Sequence, residues 1–293
     1  MRILVTGRTG QVGYELERSL QGLGEIVALD REQMDLADLD AVRAVIRDIR
    51  PGLIVNPAAY TAVDKAESEP ERAMLINGEA PGVIAEEARK LGAAVIHYST
   101  DYVFDGSKPD AYTEEDTPSP LNVYGRTKLA GEQAVQASGA PHLILRTSWV
   151  YGTRGRNFLL TVQRLAAERD ELRIVNDQYG APTWCRTIAD TTAHIIAGLG
   201  AGKGNGGIDA DLWHEKSGLY HLTAQGQITW HGFAQAIVGH RSTQRKPPVV
   251  PIATRDYPLP ARRPLNSVLS CRKLTDTFCQ LPKWDNALSL CLE

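Results

Sequence analysis

Tyr124 and Lys128 stand four residues apart in the stretch VYGRTKLAGE, with good helix formers after them. Residues four apart on a helix share a face, so a phenol and an ammonium would meet over one pocket. A phenol has an unperturbed pKa near ~10 and exchanges protons poorly at neutrality. A neighbouring cation stabilises its phenolate, and Lys128 one turn on supplies that charge. The same spacing also arises by chance on solvated helix faces, so the pair needs a third group and a site to serve. Ligands of open α/β sheets bind beyond the carboxyl ends of the strands. There Ser99, Thr100 and Asp101 follow an apolar run, and Thr100 is the candidate third member. A plain turn is the other reading of those two hydroxyls.

Gly7-Arg8-Thr9-Gly10-Gln11-Val12-Gly13 spaces its glycines three and three, after a strand-like run and before a helical one. Glycines allow a tight turn and a close backbone approach to a pyrophosphate, and the helix N-terminus offers free N–H groups to the anion. Asp30, at the end of the second strand-like run, sits where an acid hydrogen-bonds adenosine ribose hydroxyls. The loop therefore reads as a dinucleotide site for NADH or NADPH. Asp30 would repel a 2′-phosphate, whereas Arg8 and Arg31 could reach one, so both cofactors stay open.

The elements that must hold these groups alternate. Strand-like runs at 2–6, 26–30, 53–56, 93–99 and 142–147 are separated by helical patterns at 11–23, 39–49, 70–91 and 122–137. The strands are apolar throughout, as parallel strands covered on both faces are. Strict alternation implies βαβ units. The expected class is α/β: a doubly wound parallel sheet (Rossmann) with a smaller, irregular C-terminal substrate-binding domain. The dinucleotide-binding domain is expected over 1–148. The second covers mainly 149–293, with 187–222 returning to the first.

In the second half, helices are expected at 158–167, 187–199 and 230–238, and strands at 172–175 and 219–222. Residues 200–218 are glycine-rich and polar, and read as an exposed loop or insertion. Six prolines between Lys246 and Pro264 forbid regular helix and suggest an extended segment on the surface or over a cleft.

At 293 residues, 43% hydrophobic and 23% charged, the chain has the make-up of a globular enzyme. Its net charge of −3 gives no footprint for nucleic acid, and no polybasic patch points to a membrane. The N-terminal apolar run stops at Gly7, too short for a signal-peptide core. The four cysteines, all from Cys185 onward, match no metal-ligand spacing and suit reduced thiols in the cytoplasm. No metal ligand set is expected.

With these pieces in place, the chain closely resembles the extended short-chain dehydrogenase/reductases, and within them the branch that reduces dTDP-4-dehydrorhamnose. The matching stretches are GRTGQVG, AAYTAVDKAESEP, HYSTDYVFDG, SPLNVYGRTKLAGE, RTSWVYG, NDQYGAPT and RRPLNS. Related 4,6-dehydratases carry an acid pair after the threonine, whereas here Tyr102 follows Asp101, which favours ketone reduction over dehydration.

The resemblance implies that Thr100 hydrogen-bonds the sugar C4 oxygen, that Tyr124 protonates it, and that Lys128 holds the nicotinamide ribose and depresses the phenol's pKa. It implies pyrophosphate contacts at Gly7, Gly10, Gln11 and Val12, adenine contacts near Asp35 and Leu36, and a cofactor wall of Ala58, Ala59 and Tyr60. Thr61, Val63, Tyr102 and Trp149 would line the sugar. Asn157, Gln178 and Arg263 would serve the nucleotide side, Arg263 as a cation for the diphosphate. Pro57 and Leu265 depart from the family's usual small residues.

Some relatives are metal-linked dimers. Glu15 fits such a magnesium site, but Arg186 stands where a second acid would be expected, so magnesium and that dimer are not carried over, and monomer and homodimer both stay open. Two rival readings on the same scaffold are another nucleotide-sugar epimerase or dehydratase, and a non-catalytic NADP-binding regulatory subunit.

Overall fold

The computed structural model describes residues 1–200, 208–240 and 242–293. Five apolar runs form parallel strands: β1 (Arg2–Val5), β2 (Glu25–Ala28), β3 (Leu53–Asn56), β4 (Ala94–Thr100) and β5 (His142–Thr147). A sixth strand, Gly218–His221, pairs with β5 and completes the order Gly218–His221, β5, β4, β3, β1, β2. From β1 the chain runs to β2 on one side, then crosses to β3 on the other. That reversal opens a crevice at the carboxyl ends of β1 and β3, where Val5 pairs with both Ala28 and Val55.

Alternate side chains of each strand feed two cores. Ile3 and Val5 pack with Leu16, Leu20, Ile188 and Ile195 on one face. Leu4, Ile54 and Val95 pack with Val42, Ile46 and Ile84 on the other. Burial on both faces is why these strands read as unbroken apolar runs. The chain is thus a doubly wound α/β protein.

The Cys185–Gly198 helix lies on the Gln11–Ser19 helix, so this part of the second half covers the first half's sheet. A separate cluster of Tyr151, Leu159, Val162, Phe233, Ile237 and Leu288 forms the core of the smaller lobe.

Three stretches differ from expectation. The helical run 70–91 contains a π-helical turn at Leu75–Glu79. It stands where the Val123–Ala137 helix approaches so closely that a Cβ on Gly131 would lie 2.1 Å from the Asn77 carbonyl. The proline-rich segment holds a strand, Val249–Ile252, parallel to Leu172–Val175. Pro251 is tolerated there because a two-stranded sheet is all edge. Of the expected 200–218 loop, residues 201–207 lie outside the described residues. The remainder is not all loop: Ala210–Lys216 is a helix, started by the Asp209 carboxylate accepting from Leu212 N at 3.1 Å. Its Trp213 is wholly buried on the sheet.

All four cysteines are free. Among the described residues no helix is long and apolar enough to cross a membrane, and no group of His, Cys, Asp and Glu is placed to hold a metal. Glu15 is instead paired to Arg186 at 3.3 Å.

Candidate active site

The glycine loop is built by sterics. Gly7 has φ 60°, a left-handed conformation that a side chain resists, and its Cα side faces Ala58 across the crevice. A Cβ on Gly13 would lie 2.2 Å from the Gly7 carbonyl oxygen. Gly10 is the N-cap of the Gln11–Ser19 helix, so no side chain claims the helix's first N–H groups. Those donors and the dipole end are what a pyrophosphate needs.

From this loop a cleft of about 950 Å³ runs along the carboxyl edge of the sheet. That volume is near the upper end of the ~300–1,000 Å³ usual for ligand clefts. Gly7, Gly10, Gln11, Val12, Asp35, Leu36, Ala58, Ala59 and Tyr60 line it, as do Thr61, Val63, Thr100, Tyr102, Tyr124, Lys128 and Trp149. Asp30 lies in an adjoining hollow with Thr9, Arg31 and Asp35. Its Oδ1 accepts from Glu32 N at 2.9 Å and Gln33 N at 3.1 Å, which fixes the turn after β2. Arg31 is paired to Asp35 and Arg8 to Glu17. The glycine cradle, the open helix N-terminus and the size of the cleft fit a dinucleotide.

The chemistry-bearing groups converge where β4 ends. Thr100 caps a 3₁₀ turn, accepting from Tyr102 N at 3.2 Å, and its hydroxyl donates to Asp101 Oδ1 at 3.1 Å. Opposite, Asn122 caps the Val123–Ala137 helix through Gly125 N at 2.8 Å and places Tyr124 in its first turn. Position 125 must be glycine: a Cβ would stand 2.2 Å from the Tyr102 carbonyl oxygen. Tyr102 and Tyr124 meet edge to face, centroids 6.0 Å apart.

Burial pushes the Tyr124 phenol up to about 12, with Thr100 pulling the other way. Burial draws Lys128 down to about 8, opposed by Glu132. Lys128 Nζ donates to the Tyr98 carbonyl at 2.6 Å. The group that favours the phenolate here is therefore the Thr100 hydroxyl, a difference from the expectation that Lys128 supplies the shift. Desolvation outweighs it, and the phenol stays protonated at neutrality.

Asn157, Gln178 and Arg263 do not line the cleft; the structure gives each another partner. Asn157 Nδ2 donates to Gln11 Oε1 at 2.8 Å, and its Oδ1 caps the Phe158–Glu168 helix. Gln178 donates to Thr254 Oγ1 at 3.0 Å. Arg263 makes a two-pronged pair with Asp64 at 2.6 and 2.7 Å. The guanidinium expected to wait for a diphosphate is engaged by a carboxylate.

Two residues that the sequence reading did not single out also stand at the site. Trp230 lines the cleft and stacks on Trp149, centroids 3.5 Å apart and 7° from parallel. Asp101 is buried, and burial raises its carboxyl to about 7 against the opposing pull of Ser267 and Thr100. Asp101 was visible as the neighbour of Thr100, whereas nothing local marked Trp230.

The family described as RmlD substrate binding domain matches residues 1–293. A dTDP-4-dehydrorhamnose reductase of Burkholderia thailandensis is 49% identical, the match covering 100% of this chain and 98% of that protein. The crystal structure of a dTDP-4-dehydrorhamnose reductase from Clostridium acetobutylicum superposes with a TM-score of 0.90 at 35% identity, over 100% of this chain and 98% of that one. One from Bacillus anthracis, in complex with NADP, gives 0.89 at 34% identity, over 99% and 98%. Whole-length matching of sequence and fold, on a chain whose cleft carries the tyrosine, lysine and threonine, makes this protein a member of the RmlD substrate-binding-domain family.

Proposed function

We propose that the protein reduces the C4 ketone of dTDP-4-dehydro-β-L-rhamnose to dTDP-L-rhamnose, as an NAD(P)H-dependent oxidoreductase. The observation that carries this reading is the meeting of Thr100, Tyr124 and Lys128 beside the glycine loop, in a chain 49% identical to such a reductase over its whole length.

When bound, the reduced nicotinamide supplies the hydride. Gly7, Gly10, Gln11 and Val12 hold the dinucleotide's phosphates through backbone N–H groups. Asp30 and Asp35 take the adenosine end with Leu36, and Ala58, Ala59 and Tyr60 form its wall. Tyr124 then acts as the acid. Its phenol, held at about 12, is fully protonated at neutral pH. The alkoxide that develops at C4 is a far stronger base than a phenolate, so proton transfer runs downhill. Thr100 donates to the same oxygen and steadies the phenolate left behind. The Lys128 ammonium adds positive charge in a dry site, where it counts most. Trp149, Tyr102, Thr61 and Val63 shape the hexose side, and Tyr102 following Asp101 leaves no acid pair for dehydration.

The same reading assigns 1–148 to cofactor binding and mainly 149–293 to the sugar nucleotide, with 187–222 returning to the first domain. The Cys185–Gly198 helix and the Gly218–His221 strand, both on the first half's sheet, support that division. A cytoplasmic enzyme, monomer or homodimer, completes it.

The test is oxidation of NADPH or NADH by the protein on dTDP-4-dehydro-β-L-rhamnose, with the product identified as dTDP-L-rhamnose. Tyr124→Phe is expected to lower kcat by ~10²–10⁴-fold while leaving NADPH binding near normal. No oxidation despite NADPH binding would sink the reading and turn attention to an epimerase assay without added reductant.

A further inference from the structure

Beneath the cleft floor a file of polar side chains crosses three strands. The Thr6 hydroxyl, just past β1, donates to Asn56 Oδ1 at 2.6 Å. Asn56, at the end of β3, sets its Nδ2 3.2 Å from His97 Nδ1. His97, on β4, sets its Nε2 3.4 Å from Lys128 Nζ. Asn56 and His97 are partners in the strand register, so the parallel pairing itself builds the file. All four side chains are buried, His97 completely. Polar groups are buried in a sheet core only when something pairs them, and here each pairs the next.

A neutral imidazole donates from one ring nitrogen and accepts at the other. Burial and the nearby Lys128 hold His97 well below its ordinary pKa, so it is neutral. With Asn56 Nδ2 donating to Nδ1, Nε2 carries the hydrogen and points at Nζ, which suits an uncharged amine. With the amide turned over, Oδ1 accepts from Nδ1–H, and a bare Nε2 accepts from an ammonium. The Thr6 hydroxyl is a rotor and can serve either end of its bond. The file thus has two polarities, one for each charge state of Lys128.

We propose that His97, backed by Asn56 and Thr6, is a positioning residue for Lys128 whose tautomer follows the charge of the lysine. It accepts from the ammonium and donates to the amine, so the buried side chain is never left unpaired in either state. The protons balance: Lys128 releases one to solvent, and His97 stays neutral while its single hydrogen exchanges from Nδ1 to Nε2. The groups around this site are Tyr124 and Glu132 from the lysine's own helix, His97 from β4 and Asp101 from the turn after it. From β5, Arg146 neutralises Glu132, and the π turn packed behind presents Asn77, bonded to Thr127. Burial brings Lys128 to about 8, which sets the range where the file reverses. The proposal rests on the reductase reading only for what Lys128 does in turnover.

Nitrogen-15 NMR of the full-length, histidine-labelled protein reads the tautomer directly and needs no sugar substrate. A bare Nε2 is expected below about pH 8 and a protonated Nε2 above it. One tautomer on both sides, or a ring that takes up a second proton, overturns the proposal whatever the enzyme reduces. The pH profile of kcat gives the second arm. His97→Leu deprives the ammonium of an acceptor, so the alkaline limb should move down by about one pH unit, a tenfold change in the lysine's proton affinity. His97→Gln, whose amide can present oxygen or nitrogen to Nζ, should restore the limb. A side chain that only filled space would be replaced by leucine with no change in the profile. An unmoved limb in His97→Leu, or a glutamine no better than leucine, refutes the role. If neither variant folds, the NMR of the unaltered protein decides alone.

Discussion

Trp149 has a left-handed backbone, φ 46°, which a bulky residue adopts only when its surroundings compel it. Thr183 N donates to its carbonyl at 3.2 Å, and the Trp230 indole lies flat against its own. Trp230 therefore fixes the angle at which Trp149 meets the cleft. Such a stack contributes ~0.5–1.5 kcal/mol beyond burial, enough for up to roughly tenfold in a binding constant. Trp230→Ala is expected to raise the KM for the sugar nucleotide by about that factor, with kcat and the Kd for NADPH near normal. Steady-state kinetics and a cofactor titration check this; an unchanged KM would mean that Trp149 holds its place without help. Tyr124 and Lys128 were legible because helical period alone puts them on one face. Trp230 was not, because its partner is 81 positions away in the chain and no local pattern records a tertiary stack. Arg263 misled for the complementary reason: an arginine suited to a diphosphate suits Asp64 equally well.

At the scale of elements, the helix Val123–Ala137 carries the site and is pinned along its length. Asn122 caps it, Gly125 and Gly131 let it touch the Tyr102 and Asn77 carbonyls, and Glu132 pairs with Arg146 of β5 at 2.8 and 2.6 Å. Both members of that pair are 2% exposed. Removing one partner of a buried pair strands the other charge, at about 3–5 kcal/mol, whereas replacing both with apolar groups is often close to neutral. Arg146→Met should therefore lose about that much stability in chemical denaturation, and the double change with Glu132→Met should recover most of it. A single variant as stable as the double would show that the pair does not hold the helix.

Helices with clean periodicity and a capping residue, such as 39–49 with Asp38, were readable from the sequence. The π turn was not, since 75–79 keeps a helical pattern and only the neighbouring helix demands the extra width. The Ala210–Lys216 helix was hidden by the glycines before it, and the Val249–Ile252 strand by prolines that rule out helix without ruling out an edge strand.

For the whole molecule, the doubly wound sheet was legible from alternation, but the joints between the two halves were not. Arg263 and Asn157 bind back to Asp64 and Gln11, and the Asn122 amide donates to the Arg262 carbonyl at 2.8 Å. The Asp64–Arg263 fork joins the chain beside Thr61 and Val63 to the proline-rich segment, so it sets how the second half sits over the sugar side of the cleft. The hydrogen bonds from Arg263 hold the Asp64 carboxyl below the ordinary carboxylate range. A depressed acid contributes stability above its unfolded pKa, and that contribution fades as pH falls through the folded value. The advantage of the wild type over Asp64→Asn should hence be level from pH 8 to about 5 and shrink only below about 4, near the unfolded pKa of an aspartate. Asp64→Asn should also raise the KM for the sugar nucleotide several-fold and leave the Kd for NADPH unchanged, because Arg263 touches only the closing half. Denaturation over a pH series and paired kinetics measure both. If the stability advantage were already gone by pH 6, or if NADPH binding weakened in step with the sugar nucleotide, the fork would not be the joint that orients the two halves.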